Sequence, residues 1–389
     1  MIHIAAAALQ LLALVIAPSP SPSPGAVAWS ARIHAPGVVD VSAARVDGRL
    51  VVGGGSRLWL LDRRSGALTP FADGPGGYPS GLGGEAYLAV SPGRRVSAAG
   101  CAFAPDELYV IEPAAHDVLR IDAAGRSHRF AAIDGVETLT GIAFDTVGRF
   151  GNRLLVIGPS RGATAVAAID CRGDVRRVTE RAPTVEGGIA VAPPGFGAFG
   201  GDLVAPDELS GRIVAVRPDG STATIAESGL PVGGDVGVEG LGFVPPGFAD
   251  GGAAYFADRA TAGNPHPGTD SLLELDARDL TAAGVREGDL LAATEGGART
   301  IAVRCAAASC QVREVASGPA VAHGEGHVVA VADRPAAGAV DQPEAADLGA
   351  AARTQMILTW LAAGLVGLVL LLGGGWAALR LRRRRPRAV

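Results

Sequence analysis

The sequence predicts an all-β fold, a β-propeller of six blades, and three observations carry that reading. A four-strand unit can be read from residues 186–227, with strands at 189–192, 202–205, 212–217 and 221–227. Pro/Gly turns separate them, among them Pro218-Asp219-Gly220. Four short strands in about 45 residues is the size of one propeller blade. The start of the unit recurs: Gly141-Ile142-Ala143-Phe144, Gly188-Ile189-Ala190-Val191 and Gly240-Leu241-Gly242-Phe243 lie 47 and 52 residues apart, each followed by a Gly-bearing turn and a further strand. The third strand recurs as well, at 58–62, 118–122, 166–170, 213–217 and 272–276. One four-stranded sheet cannot bury both of its faces, whereas copies stacked around an axis can.

Taken in order, the chain opens with an apolar run at 4–17, broken by the Pro/Ser stretch 18–25. Ala26-Val27-Ala28 then offers a small-x-small cleavage site, so residues 1–28 read as a secretory signal peptide. Residues 29–333 read as an extracytoplasmic propeller. Its first and least regular blade occupies 30–73, a Gly/Pro-rich connection follows at 74–84, and the second blade runs from 85 to 133. The third, fourth and fifth open near Glu137, Glu186 and Glu239. The fifth is enlarged by a polar loop at 258–270 and a short helix near 279–283. The last is assembled from 300–304, 311–315 and 327–332. The count is six, or seven if 290–294 belongs to a separate sheet. Residues 334–355 read as a linker. The uncharged stretch 356–379 is long enough to cross a bilayer, with Trp360 and Trp376 near its ends. Six arginines in 380–389 place the C-terminus in the cytoplasm, giving a single-pass cell-membrane protein with lipid as a partner.

Composition narrows the rest. The 389 residues carry a net charge of −5 and no lysine, and the terminal arginines leave the remaining chain distinctly acidic. An acidic body argues against nucleic acid as a partner, because displacing its counterions needs clustered cations. Aromatic residues are only 5%, so the sheets must pack through Val, Leu, Ile and Ala. An exported chain with four cysteines is expected to form two disulfides. Cys305 and Cys310 fit a bridge across a β-hairpin, and elimination then pairs Cys101 with Cys171. No Cys/His set has zinc spacing.

Three groups of residues are candidates for chemistry. Glu137, Glu186, Glu239 and Glu325 lie at or just before the starts of inner strands, where a ring of carboxylates can hold a hard cation such as Ca²⁺. When the Pro-Pro-Gly-Phe repeats are superposed, Glu239 falls opposite Gly187 rather than Glu186. A one-residue slip reverses side-chain direction in a strand. In His323-Gly-Glu325-Gly-His327, an extended backbone puts two imidazoles and a carboxylate on one face, as a divalent transition metal requires. The polar loop from Asp258 and Arg259 through Asn264 and His266 to Asp270, with Asp207 and Glu208 in the equivalent loop of the preceding blade, is the candidate ligand-binding surface. Among nucleotide-binding signatures, no phosphate-binding glycine loop appears.

Glu239-Gly240-Leu241-Gly242-Phe243 and Glu186-Gly187-Gly188-Ile189-Ala190-Val191 resemble the strand starts of six-bladed propellers of the gluconolactonase/regucalcin and NHL-like group. The resemblance covers about residues 40–333 as a pattern. It implies a metal ligand at Glu186 or Glu239 and a cation-dependent lactonase. Two function classes follow. One is a membrane-anchored binding or scaffolding module for an envelope protein, glycan or small molecule. The other is a lactonase- or esterase-like hydrolase with a divalent cation in the propeller channel.

Overall fold

The computed structural model describes residues 27–54, 56–79 and 84–333. Among these residues, six sheets of four or five strands form the blades of a propeller. In the first blade Val38–Val41, Leu50–Gly54, Leu58–Asp62 and Ala67–Phe71 pair in chain order. The second uses Leu88–Pro92, Pro105–Glu112, Asp117–Ile121 and Ser127–Ala132. The third uses Gly141–Phe144, Leu154–Ser160, Ala163–Ile169 and Val175–Ala182. The fourth, read from sequence almost strand for strand, is Ala190–Val191, Leu203–Asp207, Arg212–Val216 and Thr222–Glu227.

The last two blades are interleaved. Val238–Phe243 is the innermost strand of the fifth, but Gly252–Asp258 and Ser271–Asp276 leave it and pair in the sixth, next to the innermost strand Gly324–Ala332. The chain turns through the helix Ala277–Ala282, where the Asp276 carboxylate caps the first turn by accepting from the Arg278 N–H at 2.8 Å. It then returns with Leu290–Thr294, Thr300–Ala306 and Ser309–Ser317 to complete the fifth blade. Segment 290–294 therefore joins the sheet of 238–243, and the count is six rather than seven. Segments 253–257 and 272–276, expected in the fifth blade, belong with 327–332.

The N-terminal end of the described chain binds the same two blades. Ser30–His34 is the outer strand of the sixth, and Val27–Ala28, expected at the end of a leader, pair in parallel with Ala316 and Ser317. Trp29 is buried between them, its indole N–H donating to Thr300 Oγ1 at 2.8 Å.

Six apolar clusters, one between each pair of neighbouring blades, close the ring. Strand alternation explains how apolar runs serve two clusters at once. In Leu154–Ser160, Leu154 and Val156 join the cluster shared with the second blade, while Leu155 and Ile157 join that shared with the fourth. Both expected cysteine pairs are disulfides, Cys101–Cys171 between the second and third blades and Cys305–Cys310 within a hairpin of the fifth.

The membrane-anchored architecture is corrected. Among the described residues no helix is long and apolar enough to cross a membrane. The leader up to residue 26, the linker 334–355, the apolar stretch 356–379 and the arginine tail 380–389 all lie outside the described residues. A signal peptide, a lipid partner and a single-pass, extracytoplasmic location thus find no support in the structure.

Candidate functional site

The site follows from strand polarity. Acidic residues stand at or just before the starts of four inner strands: Glu85, Glu186, Glu239 and Glu325. Glu208, Arg259 and Glu295 each come one residue after the second strand of their blades, Leu203–Asp207, Gly252–Asp258 and Leu290–Thr294. An inner strand and its neighbour are antiparallel, so the start of one lies beside the end of the other. Both sets of side chains therefore converge on one mouth of the axis, an acidic vestibule.

At its centre, Glu295, His323 and Glu325 offer three ligand atoms that all lie within 4.8 Å of one another. His323 and Glu325 are each only 2% exposed. His323 Nε2 is 2.9 Å from Glu295 Oε1 and 3.4 Å from Glu325 Oε1. Asp258 fixes the backbone there: its Oδ1 accepts from the His323 N–H at 2.8 Å and its Oδ2 from the Thr269 hydroxyl. Arg259 Nη1 donates to Glu325 Oε1 at 3.0 Å and to Glu85 Oε1 at 3.1 Å. Tyr87 Oη lies 2.7 Å from Glu239 Oε1 and 2.9 Å from Glu325 Oε2. One hydroxyl has one proton, so Tyr87 donates to one carboxyl and accepts from the other. Burial, then the charges of Glu325 and Glu85, push the Glu239 carboxyl well above the usual range. Glu239 is therefore the partner that keeps its proton.

The other groups are shifted for related reasons. Burial, then the neighbouring Glu208, raises Glu186 to about 7. Burial, then the hydrogen bond and charge of Glu295, raises Glu208 to about 7. For Glu85 the charge of Glu325 comes first and burial second, against the pull of Arg259, and it too reaches about 7. Burial opposes charge on His323, but hydrogen bonds to Glu295 and Glu325 outweigh it and raise the imidazole to about 10. Six glutamates thus face one arginine and one histidine, an excess of acid that a cation would relieve. Two carboxylates and the His323 nitrogen fit a divalent ion once the ring gives up its Nε2 proton to the incoming metal's charge. The nitrogen donor suits a transition metal better than Ca²⁺, which prefers oxygen ligands throughout.

Beneath the vestibule the axis is closed. Asp40 accepts from the backbone N–H groups of Val41, Leu88 and His327 at 2.8, 2.8 and 2.7 Å. The His327 ring spans the axis, with Nδ1 2.9 Å from Asp40 Oδ2 and Nε2 2.9 Å from the Ile142 carbonyl. Both partners are acceptors, so the ring sits there as an imidazolium. Burial opposes that charge and Asp40 overcomes it, leaving the His327 pKa raised. The inner strands touch here: a Cβ on Gly188 would stand 2.3 Å from the Gly326 carbonyl oxygen.

The predicted residues divide accordingly. Glu186, Glu239, Glu325, His323, Glu208, Asp258 and Arg259 come together in or beside the vestibule. Glu137 does not: it is exposed, and its carbonyl faces His116 Nε2 at 3.0 Å. His327 does not share a face with His323 and Glu325. Gly326 has φ +67°, a left-handed turn that breaks the extended alternation, and His327 meets Asp40 instead. Asp207 closes its own turn through Ser210. Asn264 Oδ1 accepts from the His266 N–H at 2.7 Å, and His266 Nδ1 lies 2.7 Å from the Ala320 carbonyl. Asp270 Oδ1 accepts from the Gly37 N–H at 2.6 Å, so these three shape the loop rather than face the cluster. Sequence reasoning missed Asp40, Glu85, Tyr87 and Glu295. Glu85 stands before its inner strand much as Glu186 does, and Glu295 follows its second strand as Glu208 does.

No family model matches the chain, and neither does any curated protein. Among solved structures, the fold resembles the calcium-binding protein regucalcin from Agrobacterium tumefaciens. The identity is 12%, over 76% of this chain and 80% of that one, with a TM-score of 0.43. A gluconolactonase from Xanthomonas campestris matches at 12% identity over 76% and 79%, with a TM-score of 0.42. Virginiamycin B lyase from Staphylococcus aureus matches at 12% over 72% and 84%, with a TM-score of 0.40.

Proposed function

We propose that this propeller binds a divalent cation through Glu295, His323 and Glu325 and hydrolyses a small lactone or ester at the acidic vestibule. The observation that carries the reading is the convergence of three buried ligand atoms within 4.8 Å of one another, amid more carboxyls than the nearby cations neutralise. When bound, a divalent cation supplies the missing positive charge and acts as a Lewis acid on a carbonyl oxygen. Glu186 and Glu208 lie beside each other in the vestibule and are raised to about 7, the range a general acid–base group needs. Arg259 stands half-buried at the rim, where it can orient a carbonyl or carboxylate of the substrate. Tyr87 holds Glu325 from below and keeps its Oε1 turned toward His323.

The test uses the chelator-treated full chain. Metal content and melting temperature are measured with Zn²⁺, Mn²⁺ and Ca²⁺, and turnover is measured on a panel of aryl esters and γ- and δ-lactones. The expected result is one ion per chain, a raised melting temperature and metal-dependent turnover, all lost in Glu295→Gln. Stoichiometric metal without turnover on any substrate would leave a cation-binding propeller and remove the hydrolase. Absence of metal binding removes both.

A further inference from the structure

At the other end of the axis the inner strands open into a funnel of about 250 Å³. It lies beyond the acidic residues along each strand: Leu241 and Phe243 follow Glu239, Ile189 follows Glu186, and Val329 follows Glu325 and His327. The floor is the His327 ring. Both of its nitrogens are already engaged, by Asp40 and by the Ile142 carbonyl, and its charge is matched by Asp40. Among the described residues, no other one lining the funnel is ionisable. Two hydroxyls line the wall, the exposed Thr146 and the buried Ser42; Ser42 Oγ accepts from the Val90 N–H at 3.0 Å, which leaves its proton to give to a ligand inside.

We propose that this funnel is a second binding site, for a small, mainly hydrocarbon molecule with one hydrogen-bond acceptor, of the size of a substituted benzene. Three features select that class. An apolar cavity of about 150 Å³ is enough for benzene, so this one holds a ring with a short substituent. The Asp40–His327 pair and the contact between Gly188 and Gly326 make the funnel a dead end, which excludes a chain that must thread the axis. With no unmatched charge in the wall, a charged ligand would lose its hydration without compensation, whereas a carbonyl can take the Ser42 proton. The site is separated from the vestibule by the closed axis and does not depend on a metal there.

The probes are acetophenone, which has an acceptor, and ethylbenzene, which does not. Methyl spectra of the full chain are recorded as each is added. Both are expected to shift the methyls of Leu88, Ile142, Ile189 and Leu241, and each should displace the other. Val90→Trp places bulk at a half-buried position of the mouth and is expected to abolish both shifts. Ser42→Ala is expected to weaken acetophenone about five-fold and leave ethylbenzene unchanged. Glu295→Gln, at the opposite end, should alter neither. Shifts confined to other methyls, or none with either probe, would overturn the proposal without any variant. So would unaltered binding in a folded Val90→Trp.

Discussion

His327 Nδ1 lies 2.9 Å from Asp40 Oδ2, and this contact joins the innermost strand of the last blade to that of the first. The carboxylate also receives the Leu88 N–H of the second blade, and the ring reaches the Ile142 carbonyl of the third. One ion pair therefore ties four blades together at the axis. Asp40→Asn removes the charge and turns an amide donor toward other donors, so it should cost about 3 kcal/mol or more. The pH dependence has a definite sign. The His327 pKa is raised in the folded state, so its stabilisation is complete below about 6.5 and is lost as pH rises through the folded value. Urea unfolding at pH 6 and pH 9 should show a larger loss in the native chain than in Asp40→Asn, which keeps only the part due to the raised groups of the vestibule. Equal losses in both would refute it.

The vestibule should respond to pH from the acid side. Glu186 and Glu208 have folded pKa values of about 7, above the ordinary carboxyl value near 4.5. A raised carboxyl means that the folded state holds protons the unfolded state has released. Stability without metal should therefore fall as pH rises from about 4.5 to 7, and be lower by several degrees of melting temperature at pH 8 than at pH 5. A saturating divalent cation should flatten that fall, and Glu208→Gln should reduce it. A metal-free melting temperature that climbs between pH 5 and pH 7 would contradict the assignment.

Arg259 and a bound cation compete for the same carboxylate. The guanidinium already donates to Glu325 Oε1 at 3.0 Å. Arg259→Gln should leave Glu325 and Glu85 short of positive charge and tighten divalent-ion binding, about ten-fold by calorimetry. It should slow turnover at the same time, because the group at the rim is lost. Glu295→Gln weakens both. If Arg259→Gln also weakens the ion, the arginine is holding the cluster together rather than competing with it.

The parts of this fold that were legible in the sequence are those where chain order and blade order coincide. Residues 186–227 gave their four strands because all of them pair with one another. The fifth and sixth blades were misassigned because Gly252–Asp258 follows Val238–Phe243 at ordinary blade spacing yet pairs with Gly324–Ala332. Nothing in local alternation distinguishes those two partners. That error concealed Glu295: with 290–294 left without a sheet, the residue after it had no assigned end of the axis. Glu186, Glu239, Glu325 and His323 were legible because an acid or imidazole at the start of an apolar strand is conspicuous. Asp40 was not, since it sits inside the run Val38–Val41 and its partner lies 287 residues away. The failure at His327 came from Gly326, whose left-handed backbone ends the alternation that a strand reading assumes.

The two disulfides should differ in what they contribute. Cys101–Cys171 closes a separation of 70 residues, and Cys305–Cys310 one of 5. If a bridge acts mainly by restricting the unfolded chain, these lengths correspond to about 4 and 2 kcal/mol. The native contacts around the longer bridge favour that mechanism. The excursion formed by Arg95–Val96 and Cys101–Ala102 is also held to the third blade by Asn152 Nδ2, which donates to the Arg95 carbonyl at 2.9 Å. The folded state thus keeps its arrangement when the bridge is removed, and the loss falls on the unfolded side. The paired variant Cys101→Ser with Cys171→Ser should then unfold at lower denaturant than Cys305→Ser with Cys310→Ser, with the native arrangement of the second and third blades intact. The reverse order would mean that the short bridge stabilises through the folded hairpin instead. There the Ala198 N–H of the fourth blade donates to the Ala307 carbonyl at 2.6 Å, so loosening the hairpin would also loosen the seam between the fourth and fifth blades.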